Sequence, residues 1–115
     1  MNVTIYHNPR CSKCRQALTL LQERGVTPTV IEYLKDTPDA QELRTILAKL
    51  GLSPRDLLRK NEAAYQENGL DDPALSDEDL IAAMAANPIL IERPIVIKGK
   101  QAVIGRPPEK ILEIL

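Results

Sequence analysis

Aromatic side chains are nearly missing from this 115-residue chain: three Tyr, no Phe and no Trp. The core must therefore be built from Leu, Ile, Val and Ala. Stacking platforms for single-stranded nucleic acid are largely lacking. There is almost no excess charge, with 15 Lys and Arg against 16 Asp and Glu. A balanced surface gives no global attraction to nucleic acid or membrane, so neither is expected as a partner. No apolar run reaches 18 residues, so no membrane span is expected. A strand-like Val3-Thr4-Ile5 stands where a leader would carry a basic region and an apolar stretch, and no signal peptide is expected. Histidine occurs once and cysteine twice. One Cys-x-x-Cys and one His cannot complete a closed four-ligand zinc site of thiolates and imidazoles, so no metal is expected.

What is present is concentrated in Ile5-Tyr6-His7-Asn8-Pro9-Arg10-Cys11-Ser12-Lys13-Cys14-Arg15. An apolar strand ends, a polar turn follows, and both cysteines open a helix. A helix N-terminus offers unpaired N–H groups and partial positive charge, which favour thiolate over thiol and also cradle anions. Cys11, at the junction, is expected to be an exposed nucleophile. Cys14, one turn later, has two readings: a resolving thiol, or a packing residue on the face shared with Ala17 and Leu18. His7, if cationic, would lower the Cys11 pKa further. A disulfide between the cysteines would close only a tiny loop, so a redox or catalytic role in the cytoplasm fits better than a structural staple.

The rest of the pattern is β-α-β, a helical block, then β-β-α. Strands are expected at Val3–Tyr6 and Thr29–Tyr33 around a helix from Ser12 to Arg24, the order of a right-handed parallel crossover. Thr37-Pro38 reads as the start of a helix carrying Leu43, Ile46, Leu47 and Leu50. Ser53-Pro54 reads as the start of a helix ending near Arg59-Lys60-Asn61. Glu62–Asn68 reads as a third, and Ser76-x-x-Asp79 as the capping box of a fourth. Ile95–Ile97 and Ala102–Ile104 flank Lys98-Gly99-Lys100 as a hairpin, and Pro107 or Pro108 opens a last helix. This is the layout of an α/β, thioredoxin-like (glutaredoxin-like) domain spanning 1–115. Its core is 1–36 with 88–115, and its helical insertion 37–87. Arg93-Pro94, at a strand start, and Arg106, between Gly105 and Pro107, are fork-shaped cations suited to a tetrahedral oxyanion or a carboxylate. Arg59 admits the same role or that of a solvated helix end.

Four blocks, in order, carry a more specific likeness. Ile5–Cys11, Leu57-Leu58-Arg59-Lys60-Asn61-Glu62, Pro88–Val96 and Arg106-Pro107-Pro108-Glu109 together resemble the glutaredoxin-coupled arsenate reductase family of ArsC type. The chain is most similar to its short bacterial members. The resemblance implies Cys11 as nucleophile and His7 as the group lowering its pKa. It implies Arg59, Arg93 and Arg106 as oxyanion-binding residues and Pro94 as the cis-proline of the fold. It also implies arsenate as substrate, glutathione as co-substrate and glutaredoxin as partner. No bound cofactor is implied, and a cytoplasmic monomer is expected. In the family the thiolate attacks arsenate, glutathione joins, arsenic becomes trivalent, and glutaredoxin removes the glutathione.

Cys14 is a departure, since many members lack a cysteine there. The related Spx transcription regulators have a Cys-x-x-Cys and bind RNA polymerase, which gives a redox-switch alternative. A general thiol-disulfide oxidoreductase is the other. The Arg59-Lys60-Asn61 block argues against the first, and the crowd of cations against the second, whose disulfide substrate is neutral.

Overall fold

The computed structural model describes residues 2–115. Their contacts form two compact units: one made of the residues up to Asp36 together with Arg93–Leu115, the other of Thr37–Glu92.

The first unit contains β1 (Val3–His7), α1 (Ser12–Glu23), β2 (Thr29–Glu32), β3 (Ile95–Lys98) and β4 (Gln101–Ile104). The sheet order is β2-β1-β3-β4. β1 and β2 pair in parallel, as a connection through α1 allows, while β3 is antiparallel to both β1 and β4. Ile5 stands opposite Val30 and Val96, and Val96 opposite Val103. Alternation puts Val3, Ile5 and His7 on one face of β1. Val3, Ile5, Ala17, Leu21, Val96 and Ile111 form the buried cluster, with Leu18, Val26, Val103 and Leu112 packed against it. The cluster is wholly aliphatic, as the scarcity of aromatics requires. Each large side chain buried there contributes about 1.5–3 kcal/mol. α1 stops where Gly25 adopts φ 75° and Val26 N–H returns to the Leu21 carbonyl at 3.0 Å, a left-handed exit that glycine makes without strain. The last expected helix forms as a 3-10 helix over Pro108–Ile114, packed on α1 and β4.

The second unit holds α2 (Ala40–Leu50), α3 (Pro54–Leu57), α4 (Ala63–Glu67), α5 (Asp77–Ala86) and a 3-10 turn at Pro88–Leu90. α2 begins later than Thr37-Pro38 suggested: Asp39 is its N-cap, and the Asp39 carboxylate accepts from Glu42 N–H at 2.8 Å. A carboxylate caps the orphan N–H groups better than the threonine two residues earlier could. α2 packs on α5, and Leu43, Ile46, Leu47, Leu80, Ile81 and Met84 are buried. α3 ends at Leu57, before the expected Arg59, because Leu58 turns extended and bridges Ile91. Glu92 N–H donates to the Leu57 carbonyl at 2.9 Å and Arg59 N–H to that of Leu90 at 2.8 Å. The 3-10 turn packs on α4 and α5. These contacts place the boundary at Arg93 rather than at residue 88.

Candidate active site

The chain leaves β1 at His7 and makes a tight turn into α1. Cys11 N–H donates to the Asn8 carbonyl at 2.9 Å, and Asn8 Oδ1 accepts from Arg10 N–H at 3.0 Å. Arg15 braces the turn from α1, its Nη1 donating to the Pro9 carbonyl at 2.9 Å. Cys11 is the N-cap of α1, and no side chain caps the helix. Its first turn carries no acidic residue. The orphan N–H groups and partial positive charge are thus left for the sulfur itself.

Burial pushes the Cys11 thiol up, but the Cys14 N–H, the Cys14 thiol, the Arg93 charge and the Lys13 N–H together bring it below its ordinary value. Cys11 is less open than the sequence suggests, being only 8 % exposed. Arg106 lies against it, Nη2 at 3.8 Å from Sγ. Its Nε donates to the Arg93 carbonyl at 2.7 Å, so one planar fork spans sulfur and backbone. The Arg93–Pro94 and Arg106–Pro107 peptide bonds are both cis. Gly105 sits between them. A Cβ there would meet Pro94 Cγ at 2.9 Å and Ile111 Cγ2 at 3.2 Å, and Gly105 N–H donates to the Pro94 carbonyl at 2.9 Å. Only glycine lets β4 pass this close to Pro94 and deliver Arg106.

Cys14 is 0 % exposed. Burial, and then the hydrogen bond and charge of Cys11, push its thiol up to about 12, against the lowering effect of the Asn8 backbone and Arg93. Both cysteines are free thiols.

His7 differs from the cationic group read from sequence. It is 6 % exposed, and its Nδ1 is buried without a hydrogen-bond partner. Burial lowers its pKa, Arg15 adds to the lowering, and Glu32, its neighbour in the parallel register, opposes them. The neutral imidazole is therefore favoured at neutral pH, and the strongest groups acting on Cys11 are the helix N–H groups, Cys14 and Arg93.

Arg59 belongs to the helical unit. Its Nη1 pairs with Glu62 Oε1 at 2.8 Å and its Nε lies 4.0 Å from Glu92 Oε1. The sequence shows the three-residue spacing of Arg59 and Glu62, but not the approach of Glu92. The brace by Arg15, the second cis bond and the packing of Gly105 were likewise missed. Of these, only Gly105, set just before Arg106-Pro107, carried a signal. Among the described residues, no group of three His, Cys, Asp or Glu side chains is placed to hold a metal ion. No helix among them is long and apolar enough to cross a membrane.

The ArsC family model matches residues 6–114. The Escherichia coli (strain K12) protein YfgD is 54% identical over 114 residues, covering 98% of this chain and 96% of its own length. A protein of Neisseria meningitidis (strain Z2491) named arsenate reductase is 48% identical over 114 residues, covering 98% of this chain and 97% of its own. A solved structure described as arsenate reductase from Vibrio cholerae superposes with a TM-score of 0.98 at 52% identity, covering 100% of this chain and 98% of that one. Aligned over nearly all of its length, and with the same thioredoxin-like architecture, the chain belongs to the ArsC family.

Proposed function

We propose that this protein is an arsenate reductase that uses Cys11 as its nucleophile, glutathione as co-substrate and glutaredoxin as recycling partner in the cytoplasm. The observation that carries the proposal is the setting of Cys11: a thiol of lowered pKa at an uncapped helix N-terminus, with a guanidinium 3.8 Å from its sulfur. Arsenate is a tetrahedral anion, and a nucleophile that is itself anionic needs nearby positive charge to approach it. The α1 N–H groups, Arg106 and Arg93 supply that charge from one unit of the chain. Arg59 is assigned to the same oxyanion by resemblance to the family.

The chemistry follows from these groups. The Cys11 thiolate attacks arsenic and an arsenic-bound oxygen leaves as water after protonation, giving a thiol–arsenic(V) adduct. Thiolates are soft and strongly nucleophilic, which suits them to this step. Glutathione replaces a second oxygen, and the electron pair that reduces arsenic to the trivalent state comes from sulfur as a Cys11–glutathione disulfide forms. Glutaredoxin reduces that disulfide. The balance over a cycle is arsenate plus two glutathione molecules to arsenite, one glutathione disulfide and water.

The test is arsenate-dependent NADPH oxidation in the presence of glutathione, glutaredoxin and glutathione reductase. Turnover that needs both glutathione and glutaredoxin is expected. Turnover with glutathione but indifferent to glutaredoxin would remove glutaredoxin from the cycle, and no turnover with any thiol would refute the proposal.

A further inference from the structure

Residues 8–11 form a β-turn, closed by the Cys11 N–H on the Asn8 carbonyl at 2.9 Å. That bond spends the Cys11 N–H. The α1 ladder starts with Arg15 N–H on the Cys11 carbonyl at 3.0 Å. The N–H groups open to the sulfur or to an anion are therefore those of Ser12, Lys13 and Cys14. The peptide joining Pro9 to Arg10 is the central unit of the turn, and it is held at both ends. Its N–H donates to Asn8 Oδ1 at 3.0 Å, and its carbonyl accepts from Arg15 Nη1 at 2.9 Å. In a trans peptide these two groups point in opposite directions, so the two bonds together fix the orientation of the plane. Among the described residues only glycines have positive φ, which leaves a type I turn rather than type II. Turning the central peptide over would give type II and force Arg10 into the left-handed region.

We propose that Arg15 is a positioning residue for Cys11: with Asn8 it clamps the Pro9–Arg10 peptide and so holds the nucleophile on the open N-terminus of α1. The proposal rests on the reductase reading only for its effect on turnover; the clamp itself stands on the turn. Arg15 is exposed, where an arginine is ordinarily solvated. Here its side chain reaches back six residues to a backbone carbonyl. Its own N–H opens the helix ladder, so one residue ties the first turn of α1 to the loop before it. Cys11 is the residue between these two attachments and is the N-cap. A nucleophile held by supporting bonds spends more of its time in the reactive geometry. With either end of the clamp removed, the central peptide is free to turn over, and Cys11 leaves that geometry for part of the time.

The test is a double-mutant cycle read by the rate of Cys11 alkylation with iodoacetamide, in wild type, Arg15→Ala, Asn8→Ala and the double variant. Each single variant is expected to slow alkylation roughly three- to tenfold, the worth of one hydrogen bond. Because both bonds hold the same peptide, the double variant should be no more than about twofold slower than the slower single. An unchanged rate in Arg15→Ala overturns the proposal. So does a double variant slowed by the product of the single effects, which would mean that Asn8 and Arg15 act independently. The series is repeated in about 1 M salt, where the Debye length is about 3 Å. Slowing by Arg15→Ala should persist there. Its disappearance would make Arg15 a screened surface charge and overturn the clamp. In arsenate turnover, kcat/KM of Arg15→Ala should fall by the same factor as its alkylation rate, and an unchanged kcat/KM overturns the catalytic part of the proposal. A wild type that turns over no arsenate with any thiol defeats the reductase reading instead, and the alkylation cycle still decides the clamp.

Discussion

Replacing Arg106 with alanine removes one of the positive charges beside Cys11 and leaves Arg93 and the helix N–H groups in place. Nη2 of Arg106 is 3.8 Å from Cys11 Sγ, and removing the side chain deletes one full charge at that distance. Coulomb's law gives about 1 kcal/mol for such a pair in water and about 4 kcal/mol at the effective dielectric of a protein surface. The guanidinium is only part-buried, so solvent screening keeps the effect toward the lower end, about 1.5 kcal/mol, which is about one pKa unit. The sign is definite: losing a cation beside a thiolate raises the thiol pKa. Iodoacetamide alkylation of Cys11 should therefore shift its pH midpoint upward by about one unit in Arg106→Ala, with rates at neutral pH falling about tenfold. Arg106→Lys should recover only part of this. Its single ammonium cannot both donate to the Arg93 carbonyl, as Nε does at 2.7 Å, and rest against the sulfur. An Arg106→Ala protein whose midpoint matched wild type would refute the assignment of Arg106 to the thiolate.

Three further outcomes follow from the same structure. Gly105→Ala drives a Cβ to 2.9 Å from Pro94 Cγ; it should cost about 1–3 kcal/mol of stability in chemical denaturation and lower the Cys11 alkylation rate by displacing Arg106. Asp39→Ala removes the carboxylate that accepts from Glu42 N–H at 2.8 Å; a loss of about 1 kcal/mol is expected, with Cys11 reactivity untouched. His7 is buried and has a lowered pKa, so below its ordinary value of 6.5 the unfolded chain binds the proton more readily than the folded one. Stability should fall as pH drops below that value, and His7→Gln should flatten this part of the pH–stability curve measured by denaturant unfolding.

The order of elements was legible because each relied on local chemistry. Alternating β-branched residues marked β1, and Ser76 with Asp79 marked the start of α5. Boundaries failed where tertiary partners decided them. α3 stops at Leu57 because Leu58 bridges Ile91, a partner 33 positions away that no local pattern reveals. The place of Cys11 at the N-cap of α1 was legible because a cysteine at a strand-to-helix turn is a local signal. Its surroundings were not. That His7 is buried and favours the neutral form depends on how β1 packs, and that Arg106 meets Cys11 depends on the sheet bringing residues 95 positions apart together. The burial of Cys14, left open between two roles, depends on the packing of α1 against the sheet.

The central claim is that Cys11 carries the reduction of arsenate. Its most direct measurement is arsenite formed from arsenate, resolved by arsenic speciation, for wild type and Cys11→Ser with glutathione and glutaredoxin present. The account predicts steady arsenite production by wild type and background production by Cys11→Ser, whose fold should be unchanged by circular dichroism. Arsenite production by Cys11→Ser at the wild-type rate would contradict it.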